Sequence, residues 1–505
     1  MMHRLSRIRY FVGLALVVAL SGCDLAPVYH APQMLLPADY RGAGPFVEAA
    51  PQDQIPRGPW WQMFADPELD RLERELEAAN PDLKAAQETY TQARDVVAEA
   101  RSGLFPQIDA NAFTSENKES LHTLFHTGTG PLQQPSNGYG ASLSWEPDFW
   151  GEVSNSEKRA AQYAQGQAAL VASAQLSLEM ELANDYMAAH GLDTEHAAYV
   201  RAIDLYRNAV RITQMRYAGK ISSGLDVARA ENQLSAAQAQ DTDVQAQRAV
   251  LEHAVAVLAG RNPTTFTLPV RTDSHITLPD VPAGVPSELL QRRPDIAGAE
   301  RAMAGANSAI GIARAAFYPN IRINAMAGFE DTGGALAALP NSLWAVGASA
   351  MLPLFEGGLR KAELQASWSQ FAQTGDEYKA VVLAAFQQVE DDLVLTSKLS
   401  TEADQQEAAL QAALKVQKIS MSLYTDGLDN YLNVTVAQIA ALTAQISEVE
   451  VETRRLQTAV ALIGALGGGW SAADLPTRDQ TIPFSPIGLR SPRDNAAGIS
   501  TKQPT

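Results

Sequence analysis

Asn80-Pro81-Asp82-Leu83 returns as Arg293-Pro294-Asp295-Ile296, and Leu104-Phe105-Pro106-Gln107-Ile108 returns as Phe317-Tyr318-Pro319-Asn320-Ile321, each 213 positions later. Leu225-Asp226-Val227 matches Leu432-Asn433-Val434, and Gln238 matches Gln445, both 207 positions on. A unit of roughly 210 residues, written twice, sets the expected architecture before any single side chain is weighed.

The prolines say what fills the unit. There are 27, yet none falls between Pro147 and Pro263 or between Pro353 and Pro476. Those runs are rich in Ala, Gln, Leu and Glu and predict long helices. Helices over Glu152–Tyr217 and Leu359–Tyr424 would each span on the order of 100 Å. Gly-containing turns at 218–224 and 425–430 then send the chain back. In the last return helix Ile439, Leu442, Ile446, Val449, Thr453, Leu456, Val460 and Ile463 follow a 3,4 spacing, a heptad seam broken only by Thr453. Each unit opens with a shorter helix, the first restarting at Asn80-Pro81, where Asn caps and Pro takes the first helical position.

Between the helices lie short alternating segments. Ile108, Ala110 and Ala112 alternate with Asp109, Asn111 and, less tidily, Phe113; Tyr139–Trp145 is the return strand. In the second unit Ile321, Ile323, Ala325, Ala327 and Phe329 oppose Arg322, Asn324, Met326 and Gly328, and 343–352 returns. Strands of about 10 residues match a tilted bilayer crossing. Four are too few to close a spanning barrel, which starts at about eight, so crossing would demand oligomerisation. The fold class is therefore mainly α with a small β part: long antiparallel coiled-coil hairpins plus four strands, in two internal repeats. Soluble hairpins capping a helical body are the alternative.

The formal charge is −18, falling to about −21 (−18 less 3) once Arg4, Arg7 and Arg9 leave with a signal segment. No basic patch points to nucleic acid. An acidic lumen facing cationic solutes is one reading, an acidic soluble surface the plainer one. Phe11–Leu20 is an apolar run too short to span a membrane and the right length for a signal-peptide core. Leu20-Ser21-Gly22-Cys23 then places the only cysteine after small residues, like a bacterial lipobox. Cleavage there would leave Cys23 to carry acyl chains, two or three of which anchor stably. Asp24 beside it bears on lipoprotein sorting. Residues 1–22 are thus the signal peptide, 23–59 a lipid-anchored Pro-rich extended segment, 60–270 and 271–475 the two repeats, and 476–505 a disordered tail.

Several strings resemble one family. Trp60-Trp61-x-x-Phe64-x-Asp66-Pro67-x-Leu69, Ser287-Glu288-Leu289-Leu290-x-Arg292-Arg293-Pro294-Asp295-Ile296, Phe317-Tyr318-Pro319, Pro353-Leu354-Phe355-x-Gly357-Gly358 and Cys23-x-x-x-Pro27-x-Tyr29 are similar to lipoprotein outer-membrane efflux channels of Gram-negative bacteria. The resemblance implies a homotrimer with a twelve-stranded β-barrel on an α-helical tunnel. It also implies a periplasmic adaptor protein and an inner-membrane pump of the resistance-nodulation-division type.

By the same resemblance, the helix turns dock the adaptor: Arg216, Tyr217 and Gly219 in one, Tyr424, Gly427 and Leu428 in the other. Gly219 and Gly427 are expected to take backbone conformations closed to other residues. The family's aperture, often ringed by carboxylates, would here fall at Asn433 and Val436, a departure; Asp226, Asp426 and Asp429 could still supply negative charge. His122 and His126 form a weak metal pair in a Thr/Gly-rich loop. No nucleophile elbow, Walker-type loop or zinc spacing occurs, so neither an enzyme nor a cofactor is expected. A duct for protein secretion and a coiled-coil bridging lipoprotein are the rival readings.

Overall fold

In the computed structural model the described residues are 24–32, 34, 40, 58–118, 133–271, 276–281 and 289–484. A 3-10 turn, Trp60–Phe64, precedes α1 (Pro67–Ala79) and α2 (Pro81–Ser102). Strands β1 (Gln107–Lys118) and β2 (Gln133–Trp145) lead into α3 (Glu152–Ala218) and its return α4 (Gly224–Leu258). The second half follows with α5 (Leu289–Arg292), α6 (Pro294–Ala315), β3 (Asn320–Asp331), β4 (Ser342–Met351), α7 (Leu359–Thr425) and α8 (Tyr431–Ala465). Helices of 22, 67 and 35 residues occur in that order in both halves. The strands run longer than their hydrophobic stretches, because polar ends such as Asn117 and Gln134 also pair.

The helix ends are fixed by side chains. Asp66 accepts from the Glu68 and Leu69 amides at 2.8 and 3.2 Å, and Pro67 costs nothing where a donor would be idle. Asn80 does two jobs: its Oδ1 caps α2 through Asp82 and Leu83, and its Nδ2 donates to Leu258 O at 2.9 Å, closing the end of α4. Asp148 accepts from the Val153 and Ser154 amides and starts α3.

The main core sits at the midpoint of α3. Trp60, Phe64, Leu69, Leu72 and Leu76 bury against Leu182, Tyr186, Met187, Val255, Leu268, Val460 and Ile463. Each such side chain contributes about 1.5–3 kcal/mol on leaving water. Above and below this belt the clusters are smaller and include close alanine contacts: Ala93 with Ala160, Ala161 and Ala164 beside Val97, and near the turns Ala209 with Ala230 beside Tyr424 and Tyr431. The predicted seam in α8 holds at Val460 and Ile463 but loses phase toward the turn. There Val434, Ala437, Gln438 and Ala441 are buried while Ile439 is exposed.

Both chain ends lie along the helices. Residues 24–32 form a strap on α6: Tyr29 OH donates to Glu300 Oε1 at 2.7 Å, Asn307 to Pro27 O at 2.8 Å, and Arg314 to Leu25 O at 3.0 Å. The disorder expected from 476 does not begin there. Gln165 donates to Pro476 O, Arg478 pairs with Glu157, and Thr481 is buried, so the tail packs on α3 as far as Ile482. Polar composition hid this, because most of the contacts are polar, with only Ile482 packing on an apolar cluster.

The belt also holds acids. Glu179 accepts from Trp60 Nε1 at 2.9 Å and from Gln175 Nε2 at 2.7 Å, and burial pushes its carboxyl up to about 7. Glu73 is fully buried, neither oxygen has a partner, and burial with Glu179 and Glu77 nearby holds it well above the carboxylate range. An unsatisfied buried polar group costs about 1–3 kcal/mol, so Glu73→Leu should stabilise the chain by that amount at pH 7, read as a higher urea midpoint at unchanged slope. For Glu179 the unfolded value is 4.5 and the folded value about 7. The folded chain therefore holds the extra proton, and this stabilisation is full below pH 4.5 and lost as pH rises through 7. Glu179→Gln should remove on the order of 3 kcal/mol of that pH dependence. Identical stability profiles between pH 4.5 and 8 for variant and wild type would refute the assignment.

Candidate functional site

The four strands form one antiparallel sheet in the order β1-β2-β3-β4. Directly paired residues share a face, so the register sorts every side chain. One face carries the rungs Ile108-Leu143-Ala325-Val346, Ala110-Ala141-Ala327-Trp344 and Ala112-Tyr139-Phe329-Ser342, then Trp145-Ile323-Ala348 and Ile321-Ala350. The other carries Gln107-Ser144-Asn324-Gly347, Asp109-Ser142-Met326-Ala345, Asn111-Gly140-Gly328-Leu343 and Arg322-Ser349. The first face is almost wholly apolar and the second largely polar or glycine. Phe113, untidy in the sequence, lies on the polar face and covers Gly138, where an added Cβ would sit 2.7 Å from its ring.

Among the described residues the apolar face has no cover: Trp344, Val346 and Ile108 are 78, 71 and 69% exposed. From Ile321 to Phe329 the band measures about 26 Å along the strand, the order of the ~25 Å apolar belt of an outer-membrane barrel. Beyond it both faces turn polar, with Thr114 bonded to Asn137 and Ser136 to Glu330. At the other end Trp145 donates to Leu104 O and Trp150 to Pro319 O, tying the sheet to the helices. Among the described residues no helix is long and apolar enough to cross a membrane.

The far ends of the long helices meet in one tip. Arg216 donates to Tyr424 O at 3.0 Å and Thr425 O at 3.3 Å, and its guanidinium lies 4.7 Å from the Tyr424 ring centre. Tyr424 meets Tyr431 edge to face at 5.3 Å, over Ala209, Ala230 and Val434. Burial raises both phenols, Tyr431 to about 12, and the Asp226 carboxylate adds to the rise. Tyr431, Val434 and Met421 were missed in the sequence. The signal was two tyrosines seven apart across a turn.

Leu428 and Tyr217 project outward, 75 and 56% exposed, and Asp426 is bare at the turn. Asp429 is committed: its Oδ1 accepts from the Asn430 amide and from Asn433 Nδ2, both at 2.7 Å. Gly427 takes the left-handed conformation as expected, with φ +77°. Gly219 does not. It caps the helix at φ −75°, ψ 1°, and Lys220 takes the left-handed position at φ 59°. The helix thus ends one residue later than its glycine implied, with Ile221 N closing onto Arg216 O at 2.8 Å.

Cys23 lies outside the described residues, as do His122 and His126. The residue after it is held: Asp24 pairs with Lys158 and accepts from Asn155 Nδ2, in the first turns of α3 just below the sheet. Among the described residues no group of His, Cys, Asp and Glu could hold a metal ion.

A family model described as "Outer membrane efflux protein" matches residues 72–261 and 285–468. The pyoverdine export outer membrane protein OpmQ of Pseudomonas aeruginosa is 28% identical over 90% of this chain and 95% of its own length. The toluene efflux pump outer membrane protein TtgC of Pseudomonas putida is 29% identical over 93% and 97%. The Campylobacter jejuni CmeC outer membrane channel superposes with a TM-score of 0.84 at 19% identity, covering 95% of this chain and 99% of that one, a likeness of fold.

Arg216 is the group that joins the two turns. Its loss should cost about 1–2 kcal/mol locally. Arg216→Ala is expected to speed amide hydrogen exchange at 424–431 by roughly tenfold or more, with exchange in the α3 midpoint unchanged. Unaltered exchange at the tip would show that the link carries nothing.

Proposed function

Since the chain belongs to the outer membrane efflux protein family, we propose that three copies assemble into one passive duct crossing the outer membrane and periplasm. Each copy would supply four strands to a twelve-stranded barrel and its two long hairpins to a helical tunnel below. The observation that carries this is the sheet: among the described residues, one apolar face is without cover, and two edge strands, β1 and β4, have no partner along their free sides. In hydrocarbon every backbone donor and acceptor must be paired, so an open sheet must close, and four strands cannot close alone.

On this reading the units 60–270 and 271–475 are equivalent, each giving one sheet hairpin and one tunnel hairpin. The polar sheet face lines the lumen. The tips, with Tyr217, Gly219, Gly427 and Leu428 around the Arg216–Tyr424 link, receive a periplasmic adaptor, and Asp226, Asp426, Asp429 and Asn433 stand near the aperture. Transport through a duct needs no catalytic group or cofactor in this chain; the energy comes from an inner-membrane pump of the resistance-nodulation-division type. Cys23 carries the lipid, and the Asp24–Lys158 pair sets the anchor at the level where the sheet begins.

Small-molecule export is favoured over protein secretion because the relatives are named for solutes as unlike as pyoverdine and toluene. Substrate choice then rests with the pump. A bridging lipoprotein is disfavoured by the uncovered apolar band, for which a bridge has no use.

The chain taken from outer membranes should run as a trimer in unheated SDS and as a monomer after boiling. Cys23→Ala should leave that trimer membrane-inserted, and deletion of the chain should sensitise cells to hydrophobic solutes. Release of Cys23→Ala protein as a soluble monomer would refute the duct.

A further inference from the structure

The two hairpins of the sheet share one register. Gln107 opposite Ser144 in the first corresponds to Asn320 opposite Met351 in the second, so β3 lies 213 positions after β1 and β4 lies 207 after β2. Between the hairpins, β2 and β3 pair with Ser144 opposite Asn324, Ser142 opposite Met326 and Gly140 opposite Gly328. This is the one seam between units that a single chain displays. The other, from β4 onward, must be made with another molecule.

The connections beside the seam carry the same asymmetry. Within the chain, the link from β2 into α3 lies on the corner from α6 into β3: Trp150 stacks on Tyr318 at 4.7 Å and donates to Pro319 O at 2.8 Å. In the equivalent link from β4 into α7, Leu354 and Phe355 are 92 and 90% exposed. The equivalent corner, Leu104-Phe105-Pro106, stands at the opposite edge with Phe105 half bare. A complementary pair of bare surfaces on opposite edges is what a ring of identical copies joins head to tail.

We infer that β4 of one copy pairs with β1 of the next in the register that β2 keeps with β3. Met351 then stands opposite Asn111 of the next copy, Ser349 opposite Phe113 and Gly347 opposite Ser115, while Leu354 and Phe355 close over Phe105. This rests on the barrel proposed above and specifies its seam. The facing comes out right without adjustment. Ala350 meets Ala112 on the apolar side, and Met351 meets Asn111 on the lumen side, so each strand keeps its faces across the seam. A slip of one residue would turn every apolar side chain of the neighbour inward.

A slip of two would keep the faces and must be tested directly. In the full chain, Met351→Cys with Asn111→Cys, under a mild oxidant, is expected to give a covalent trimer that survives boiling in SDS. Gly347→Cys with Ser115→Cys, independent of the first pair, should do the same. Met351→Cys with Phe113→Cys makes a diagonal pair about 7–8 Å apart, beyond usual disulfide reach, and should link at least about tenfold more slowly. Single-cysteine variants control for Cys23. Faster linking of Met351 to Phe113 or Asp109 than to Asn111, in intact trimers, overturns the register and leaves the barrel standing. Only monomers, in wild type and every variant, overturn both.

Discussion

A backbone amide in hydrocarbon has no water to fall back on, and everything in this molecule is arranged around that constraint. Helices satisfy their own amides, and none among the described residues is apolar enough to enter lipid. The sheet alone offers an apolar face, and it satisfies its amides only between neighbours. On the barrel proposed above, one chain carries both an apolar face for the membrane and open edges that need a second copy. The bare face and the bare edges are two aspects of the same requirement.

Below the sheet the problem is stiffness over distance. Helices of 67 residues cannot be held by one core, and the clusters are spread along them. The thick belt at the midpoint of α3 is where side chains become large and buried charge is tolerated: Trp60, Tyr186, Glu73 and Glu179 all lie there. Elsewhere alanines pack beside smaller clusters, such as Tyr199, Ile203 and Tyr206 midway to the tip and Tyr424 and Tyr431 within it. Asn80 binds the arrangement by ending α4 and beginning α2 with one amide group.

Much of this was legible in the sequence because the signals were coarse and repeated. Proline-free runs gave the long helices to within a residue or two, Glu152–Ala218 and Leu359–Thr425, and the alternation at 321–329 gave the two faces of the sheet. What failed did so where contrast is low. Near the tip, the buried stripe of α8 is made of Val434, Ala437, Gln438 and Ala441, small or polar residues that an apolar pattern passes over in favour of Ile439. Gly219 looked like the left-handed residue, but the bond closing α3 comes from Ile221 N, so the left-handed position falls on Lys220. The Arg216 link joins residues 208 positions apart, and no local pattern announces it.

The strap on α6 has a mechanical consequence. Its contacts fall at Glu300, Asn307 and Arg314, equal steps of seven along one helix, and Asp24 is pinned at the foot of α3. A leash fastened at such intervals has no slack to take up. Any pull on the strap is therefore taken up by α6 at three points at once and by the foot of α3, not by one bond at a time.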